Sequence, residues 1–334
     1  MHVVVDGYGL TRPSAGIGTY TREIVSALRE AQPERELTIP RQPGVRFFGR
    51  HLIYPLTVRH LRPDVFFAPA GHLPIGATGC PEVVTIHDLA IYRHPEWFPE
   101  GQTLATQIVV PRSLRRARAL IAVSESTARD AVQIFGLDRE RIEVVHHGVS
   151  PRFAPAPAAP DGGYVLFVGT IEPRKNLSTL LAAWEGIDHP LPLVVAGGWG
   201  WRWEEDRERL ERMGDRVRVL GEVRYEDLPA LYAGARCLAH PAWYEGFGMT
   251  VLEAMASGTP VIASNTSSLP EAAGDAAILV DPGDVEAWRA ALQRVLGDGD
   301  LAADLRRRGL ERAAEFTWRN AAARTWTVLE RVLR

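Results

Sequence analysis

The chain has 334 residues, a formal net charge of −3, and 46% hydrophobic and 24% charged residues. These values fit a globular protein of two domains and give no overall field that would favour nucleic acid as a partner. Cys80 and Cys237 lie far apart, match no metal-ligand spacing, and are expected to be buried thiols in a reducing compartment.

The first residues, MHVVVDGYG, carry no basic stretch ahead of a long apolar one, so no signal peptide is read there. No run of 18 apolar residues follows anywhere, so no membrane-spanning helix is expected, and the reading is a cytoplasmic protein. In chain order, VVV (3–5), VFF (65–67), EVVTI (82–86), ALIAV (119–123) and IEVV (142–145) read as buried parallel strands. Helical patterns fall between them at 18–31, 51–62, 101–117 and 124–136, with Ser124 placed to cap the last. PRFAPAPAAPDGG (151–163) holds four prolines in its first ten residues and reads as a semi-rigid linker.

A second series follows: YVLFVG (164–169), LPLVVAG (191–197), VRVLG (217–221), RCLAH (236–240), PVIAS (260–264) and AAILV (276–280). The last 35 residues read as helical. Two β-α series joined by a proline-rich hinge imply two doubly wound parallel sheets. The expected division is 1–152, a linker at 153–163, 164–316, and a terminal helical segment at 317–334. In such sheets ligands bind beyond the carboxyl ends of the strands.

The stretch HPAWYEGFGMTVLEAMASGTPVIAS (240–264) carries the most chemistry. A strand ends near His240, a turn holds Glu245, Gly246, Phe247 and Gly248, and a helix follows. The first amides of that helix, at Gly248, Met249 and Thr250, lack intrahelical acceptors and suit an anion such as a diphosphate. Glu245 before this site and Glu253 two turns into the helix make sense as acceptors of sugar and ribose hydroxyls. The plain alternative is a helix-start acid and a surface glutamate.

EPRKNL (172–177) holds Lys175, the single lysine among 38 Lys and Arg residues. His87 and Asp88 follow a strand, where ligands meet such sheets. SAGIGTY approaches a dinucleotide fingerprint, but Thr21 replaces the third glycine and the stretch lies ten residues past the first strand. AGGWGWRW (196–203) places Gly198 and three tryptophans, 199, 201 and 203, after another strand, to shape a pocket or to cover the core edge. PRSLRRARAL (111–120) gathers four arginines on or near one helix, a solvated face or one that could meet an acceptor phosphate or anionic lipid at the inner membrane surface. No third ligand joins His146 and His147, and no D-x-D pair follows a strand, so no metal and no cofactor are expected.

EGFGMTVLE resembles the E-x7-E motif of family 4 of the retaining GT-B glycosyltransferases. VGTIEPRKNL, TIHDLAIYRHPEWF (85–98), VSESTARD (123–130) and SAGIGTYTREIV (14–25), in this order, are similar to the same family. The resemblance implies two Rossmann-like domains facing a cleft, with a nucleotide-sugar donor on the C-terminal one. It implies a glycan, lipid-linked or small-molecule acceptor on the N-terminal one, and a terminal helix that crosses back to the first domain. It implies metal-independent transfer with retention, with His87 near the transferred sugar, Lys175 on the donor diphosphate and Glu245 on sugar hydroxyls. Gly16, Gly198 and Val223 are implied to approach the donor, Val223 within the stretch that holds the nucleobase. The family commonly adds an arginine directly after the strand glycine; here that position is Thr170, and Arg174 is the candidate substitute. VGTIEPRKNL and IHDLAIYRHPEWF lean toward mannosyltransferase-like members, hence GDP-mannose. The rivals are a nucleotide-sugar epimerase of the same fold and a silent nucleotide-sugar binder.

Overall fold

The computed structural model describes residues 1–11, 16–41, 48–101, 105–156 and 163–334. Residues 157–162 of the expected linker, and Ser14 and Ala15 of SAGIGTY, lie outside them. The chain divides into two compact units: Met1–Arg93, Glu100–Gly148 and Thr317–Arg334 form the first, and His94–Pro99 with Val149–Phe316 the second.

The N-terminal unit runs β1 (His2–Val5), α1 (Gly16–Ala31), β2 (Glu36–Thr38), a π-helical turn (Gly49–Ile53) leading into α2 (Tyr54–Leu61), β3 (Val65–Ala68), β4 (Glu82–Ile86), α3 (Ala90–Arg93), α4 (Val110–Arg116), β5 (Ala119–Ala122), α5 (Glu125–Phe135) and β6 (Ile142–Val144). The strands make one parallel sheet in the order β2-β1-β3-β4-β5-β6. Every residue of β3, β4 and β5 is buried, because helices cover both faces of the sheet. Ser124 caps α5 by accepting the Thr127 amide at 3.0 Å. β2 escaped the sequence reading: ELT is a three-residue, partly exposed edge with no apolar run to mark it.

The C-terminal unit runs β7 (Val165–Val168), α6 (Leu177–Glu185), β8 (Leu193–Ala196), α7 (Glu204–Met213), β9 (Val217–Gly221), α8 (Leu228–Ala233), β10 (Cys237–His240), α9 (Met249–Ala256), β11 (Val261–Ser264), α10 (Leu269–Ala273), β12 (Ile278–Val280), α11 (Val285–Gly297) and α12 (Gly299–Ala314). Its parallel sheet has the order β12-β11-β10-β7-β8-β9. The core under it centres on Phe167, Trp184, Leu193, Ile262 and Trp288. Cys237 is buried there, whereas Cys80, in the N-terminal unit, is half-exposed, a partial correction to the expected pair of buried thiols.

The last helix, α13 (Trp318–Arg331), belongs to the N-terminal unit. Thr317 caps it by accepting the Asn320 amide at 3.1 Å. Its apolar stripe, with Trp326 and Leu329, packs against Ile24 and Leu28 of α1, and the Trp326 indole donates to the Leu28 carbonyl at 3.1 Å.

Candidate active site

Strand order locates the site in the C-terminal unit. β7 and β10 are neighbours, yet the chain leaves β7 toward β8 on one side and leaves β10 toward β11 on the other. The crevice beyond their carboxyl ends is the switch point where ligands bind in open α/β sheets. The loop after β7 carries Thr170, Glu172, Arg174 and Lys175; the loop after β10 carries Glu245 to Gly248.

These two loops meet through charge. Lys175 Nζ donates to Glu245 Oε1, and Arg174 Nη1 donates to Glu245 Oε2 at 3.2 Å. His240, wholly buried at the end of β10, donates from Nε2 to Glu245 Oε1 at 3.0 Å. Burial opposes ionisation of Glu245, but the Lys175 and Arg174 cations overcome it and hold its carboxyl well below the usual range. Burial pulls the His240 pKa down against the pull of Glu245 and so favours the neutral imidazole. Arg174 also binds Glu172 at 2.8 Å and the Tyr244 carbonyl at 2.9 Å. Thus Arg174, the candidate for the missing arginine, points into the cluster, while Thr170 is exposed and faces Gly200.

The backbone around the cluster is held from three directions. Asn176 adopts φ +54°, tolerable for its short polar side chain; its amide donates to Pro241 O at 3.0 Å and Pro282 O at 2.8 Å. Ser267 Oγ accepts the Glu245 amide at 2.9 Å, and Ser268 Oγ donates to the Glu245 carbonyl at 2.8 Å. The loop after β8 closes on the loop after β7: a Cβ on Gly197 would sit 1.9 Å from Gly169 O, so only glycine permits the approach. Gly198 accepts the Ile171 amide at 2.9 Å.

Gly248 caps α9 at φ +107°, and its carbonyl accepts the Val251 and Leu252 amides at 3.1 and 3.3 Å. The Gly248, Met249 and Thr250 amides precede the first intrahelical bond, as the sequence predicts. Gly246 and Phe247 are buried, the latter edge-on to Phe316 at 5.6 Å. Glu253 is 7% exposed and accepts from Tyr232 Oη at 3.1 Å; burial raises its pKa to about 8. It is therefore not the surface glutamate of the plain alternative. Val223 lies half-buried just past β9.

The N-terminal unit holds its own group of polar side chains. His87 follows β4, is half-buried, and donates from Nε2 to Pro69 O at 2.6 Å, which leaves Nδ1 as an acceptor. Burial lowers its pKa. The Tyr20 ring packs edge-on to His87 at 4.7 Å and tilted against His147 at 4.7 Å, so His147 belongs to an aromatic stack with Trp318 rather than to a metal site. Among the described residues no three His, Cys, Asp or Glu side chains gather as metal ligands. A cavity of about 180 Å³ is lined by His87, Asp88, His72, Ile17 and Tyr92. Gly16 opens α1 and is exposed.

Sequence reasoning missed several members. Asp6 follows β1 and His72 follows β3, at the switch point of the first sheet. Arg50 grips Asp6 at 3.1 and 2.9 Å, lies over the Tyr8 ring at 4.0 Å, and reaches His72 Nε2 at 3.2 Å. Burial, then the Arg50 cation, lowers the His72 pKa to about 4. The aspartate closing VVVD was a readable signal, whereas Arg50 and His72 come from distant loops without one. In the C-terminal unit His240, Glu172, Asn176, Ser267 and Ser268 were missed likewise. One of the four helix arginines also needs correcting: Arg116 turns inward to Glu82 at 2.8 Å.

Comparison with known proteins agrees with this geometry. Residues 152–312 match the model of glycosyl transferases group 1, and residues 20–153 match that of glycosyltransferase family 4. The O-antigen chain mannosyltransferase B of Escherichia coli is 32% identical across 94% of this chain and 95% of its own. The D-inositol 3-phosphate glycosyltransferase of Salinispora tropica is 33% identical across 72% of this chain and 57% of its own. Among solved structures, the sucrose-phosphate synthase of Thermosynechococcus elongatus superposes with TM-score 0.77 at 22% identity over 99% and 98% of the two chains. HepE of Anabaena, in complex with UDP and glucose, gives 0.78 at 18% identity over 99% and 100%. These neighbours share the GT-B arrangement of two Rossmann-like units. The chain belongs to the GT-B glycosyltransferases, as a family 4-like member carrying a group 1 domain.

Proposed function

We propose that the protein transfers mannose from GDP-mannose to a glycan or lipid-linked acceptor, with retention of anomeric configuration and without a metal ion. The observation that carries the reading is the meeting of Lys175, Arg174 and Glu245 at the β7/β10 switch point, beside the amino end of α9. A nucleoside diphosphate gains negative charge as its bond to the sugar breaks, and preorganised cations and amides stabilise that charge. Lys175, Arg174 and the amides of Gly248, Met249 and Thr250 serve this end. Glu245 accepts sugar hydroxyls and keeps the two cations aligned, and Glu253 accepts from the ribose. The mannose assignment draws on the mannosyltransferase relative. We place the acceptor in the N-terminal unit, at the cavity beside His72, His87 and Asp88.

The test is a panel of GDP- and UDP-sugars, followed by thermal shift and by release of nucleoside diphosphate with and without a mannoside acceptor, in excess EDTA. A ligand at a hundred times its dissociation constant adds about 2.7 kcal/mol of stability, which a melting curve resolves. Preference for a UDP-sugar would overturn the donor, and an inverted anomer in the product the stereochemistry. Rescue by manganese after abolition by EDTA would overturn the metal-free transfer. Epimer formed without acceptor would favour the epimerase, and binding without turnover of any donor the silent binder.

A further inference from the structure

Two acid-free stretches of the sequence each contribute a helix to the N-terminal unit. Residues 37–63 contain five arginines and no Asp or Glu, and residues 101–124 contain four arginines and no Asp or Glu. The first stretch forms the π-helical turn and α2; the second leads into α4. Both helices cover the same core, with Tyr54 and Val58 from one and Leu114 from the other buried against Phe66 and Val84. Both also grip the same loop. His51 O accepts the Gly76 amide at 2.9 Å, Ser113 Oγ accepts the Leu73 amide at 2.9 Å, and Arg116 donates to Ile75 O and Pro74 O, each at 2.7 Å. The helices are therefore neighbours.

The segments that lead into these helices expose apolar side chains. Leu52, Ile53 and Leu56, at the junction of the π-helical turn and α2, are 55, 50 and 62% exposed, and Ile108, just before α4, is 51% exposed. Leu56 follows Leu52 by four residues and Ile53 by three, so these side chains lie close together. Large apolar side chains exposed on neighbouring segments mark an interaction surface. The arginines sort by direction. Arg50 and Arg116 turn inward to Asp6 and Glu82, while Arg59, Arg62, Arg112, Arg115 and Arg118 stay exposed without an ion-pair partner among the described residues. An apolar face rimmed by unpaired arginines, with no carboxylate in either stretch, is the chemistry of a surface that lies in the boundary of an anionic bilayer. Among the described residues no helix is long and apolar enough to cross a membrane, so such contact would be peripheral.

We infer that this protein docks on anionic lipid bilayers through the surface formed by α2, α4 and the turns that lead into them, with Leu52, Ile53, Leu56 and Ile108 entering the headgroup boundary and the exposed arginines binding lipid phosphates. Docking there favours a lipid-linked acceptor among the acceptor classes proposed above, and only that clause rests on the proposed activity. The docking itself is tested without turnover. The full chain is sedimented with phosphatidylcholine vesicles, with and without phosphatidylglycerol, over a series of salt concentrations. Wild type sediments with the anionic vesicles, less so as salt rises, and stays in solution with the neutral ones. The pairs Leu52→Glu with Leu56→Glu, and Arg112→Glu with Arg115→Glu, each lower the partition at least about tenfold, on a scale of roughly fivefold per surface charge. Both pairs lie on surfaces away from the core and retain the wild-type melting temperature and donor hydrolysis. Should one pair fail to fold, the other and the wild-type salt series still decide. Equal binding to neutral and anionic vesicles, wild-type binding by the folded variants, or a dimer in solution that the variants dissolve while vesicles go unbound would each overturn the inference.

Discussion

Replacing Lys175 tests the site most sharply. Its side chain is 12% exposed, ends on Glu245 Oε1, and runs so close past Gly169 that a Cβ built there would lie 3.5 Å from Lys175 Cδ. Lys175→Ala removes one preorganised cation from the place where leaving-group charge develops in the proposed reaction. Loss of one such donor typically costs about 100-fold to 1000-fold in kcat, or roughly 3–4 kcal/mol. Stability falls less, by about 1–2 kcal/mol, because Glu245 keeps Arg174 at 3.2 Å and His240 at 3.0 Å and is not left as an orphaned buried charge. Lys175→Arg restores the charge but not the shape. The narrow stem gives way to a planar fork, and the Arg174 guanidinium already occupies Glu245 Oε2 and the Tyr244 carbonyl. Turnover at saturating donor and acceptor, read as nucleoside diphosphate release, is the assay, with melting curves to separate folding from chemistry. Lys175→Arg is expected to fall at least about tenfold below wild type. Wild-type turnover in Lys175→Arg would show that any cation serves and that the lone lysine is incidental.

Glu245→Gln is expected to bind free nucleoside diphosphate more tightly, because the carboxylate that neutralises Lys175 and Arg174 is gone, yet to transfer at least about 100-fold more slowly; weaker diphosphate binding by calorimetry would contradict the charge arrangement. His87→Ala should lower turnover by about tenfold or more while diphosphate affinity holds, since the charged residues proposed to hold the diphosphate, Lys175 and Arg174, belong to the other unit; unchanged turnover would remove His87 from the reaction. Glu253 keeps its proton to about pH 8 in the folded chain against 4.5 for a free glutamate, so the folded state holds the extra proton between those values. Stability should therefore decline as pH rises through that window, by at most about 5 kcal/mol, and Glu253→Gln should flatten the decline. A melting temperature with the same pH slope in both proteins would refute the buried, protonated state.

What was legible in the sequence was periodicity and local chemistry. Eleven strands announced themselves as short apolar or β-branched runs, most plainly those covered on both faces, which must be largely apolar; β9 showed as VRVLG although its middle is exposed. The three-residue edge strand Glu36–Thr38 carried no such constraint and stayed hidden. The turn Glu245–Gly248 and the helix behind it were readable because a helix amino end and its glycine cap are local in the chain. The single lysine drew notice by composition alone. Partnership was another matter. That Lys175 and Arg174 spend their charge on Glu245, 70 and 71 residues away, follows from β7 and β10 lying side by side in the sheet, which no spacing reveals. The turn after β10 folds Glu245 back onto buried His240, and the packing of α8 against α9 buries Tyr232 against Glu253; these contacts set which carboxyl is ionised and which keeps its proton. Arg50, His72 and Asp6 come together from three separate segments, and the exposed apolar side chains at the starts of α2 and α4 become neighbours only because both segments close on residues 73–76. Burial and charge pairing depend on what is near in space, so the tertiary structure decided them, while the elements and their ends depend on near neighbours in the chain and were determined by the sequence itself.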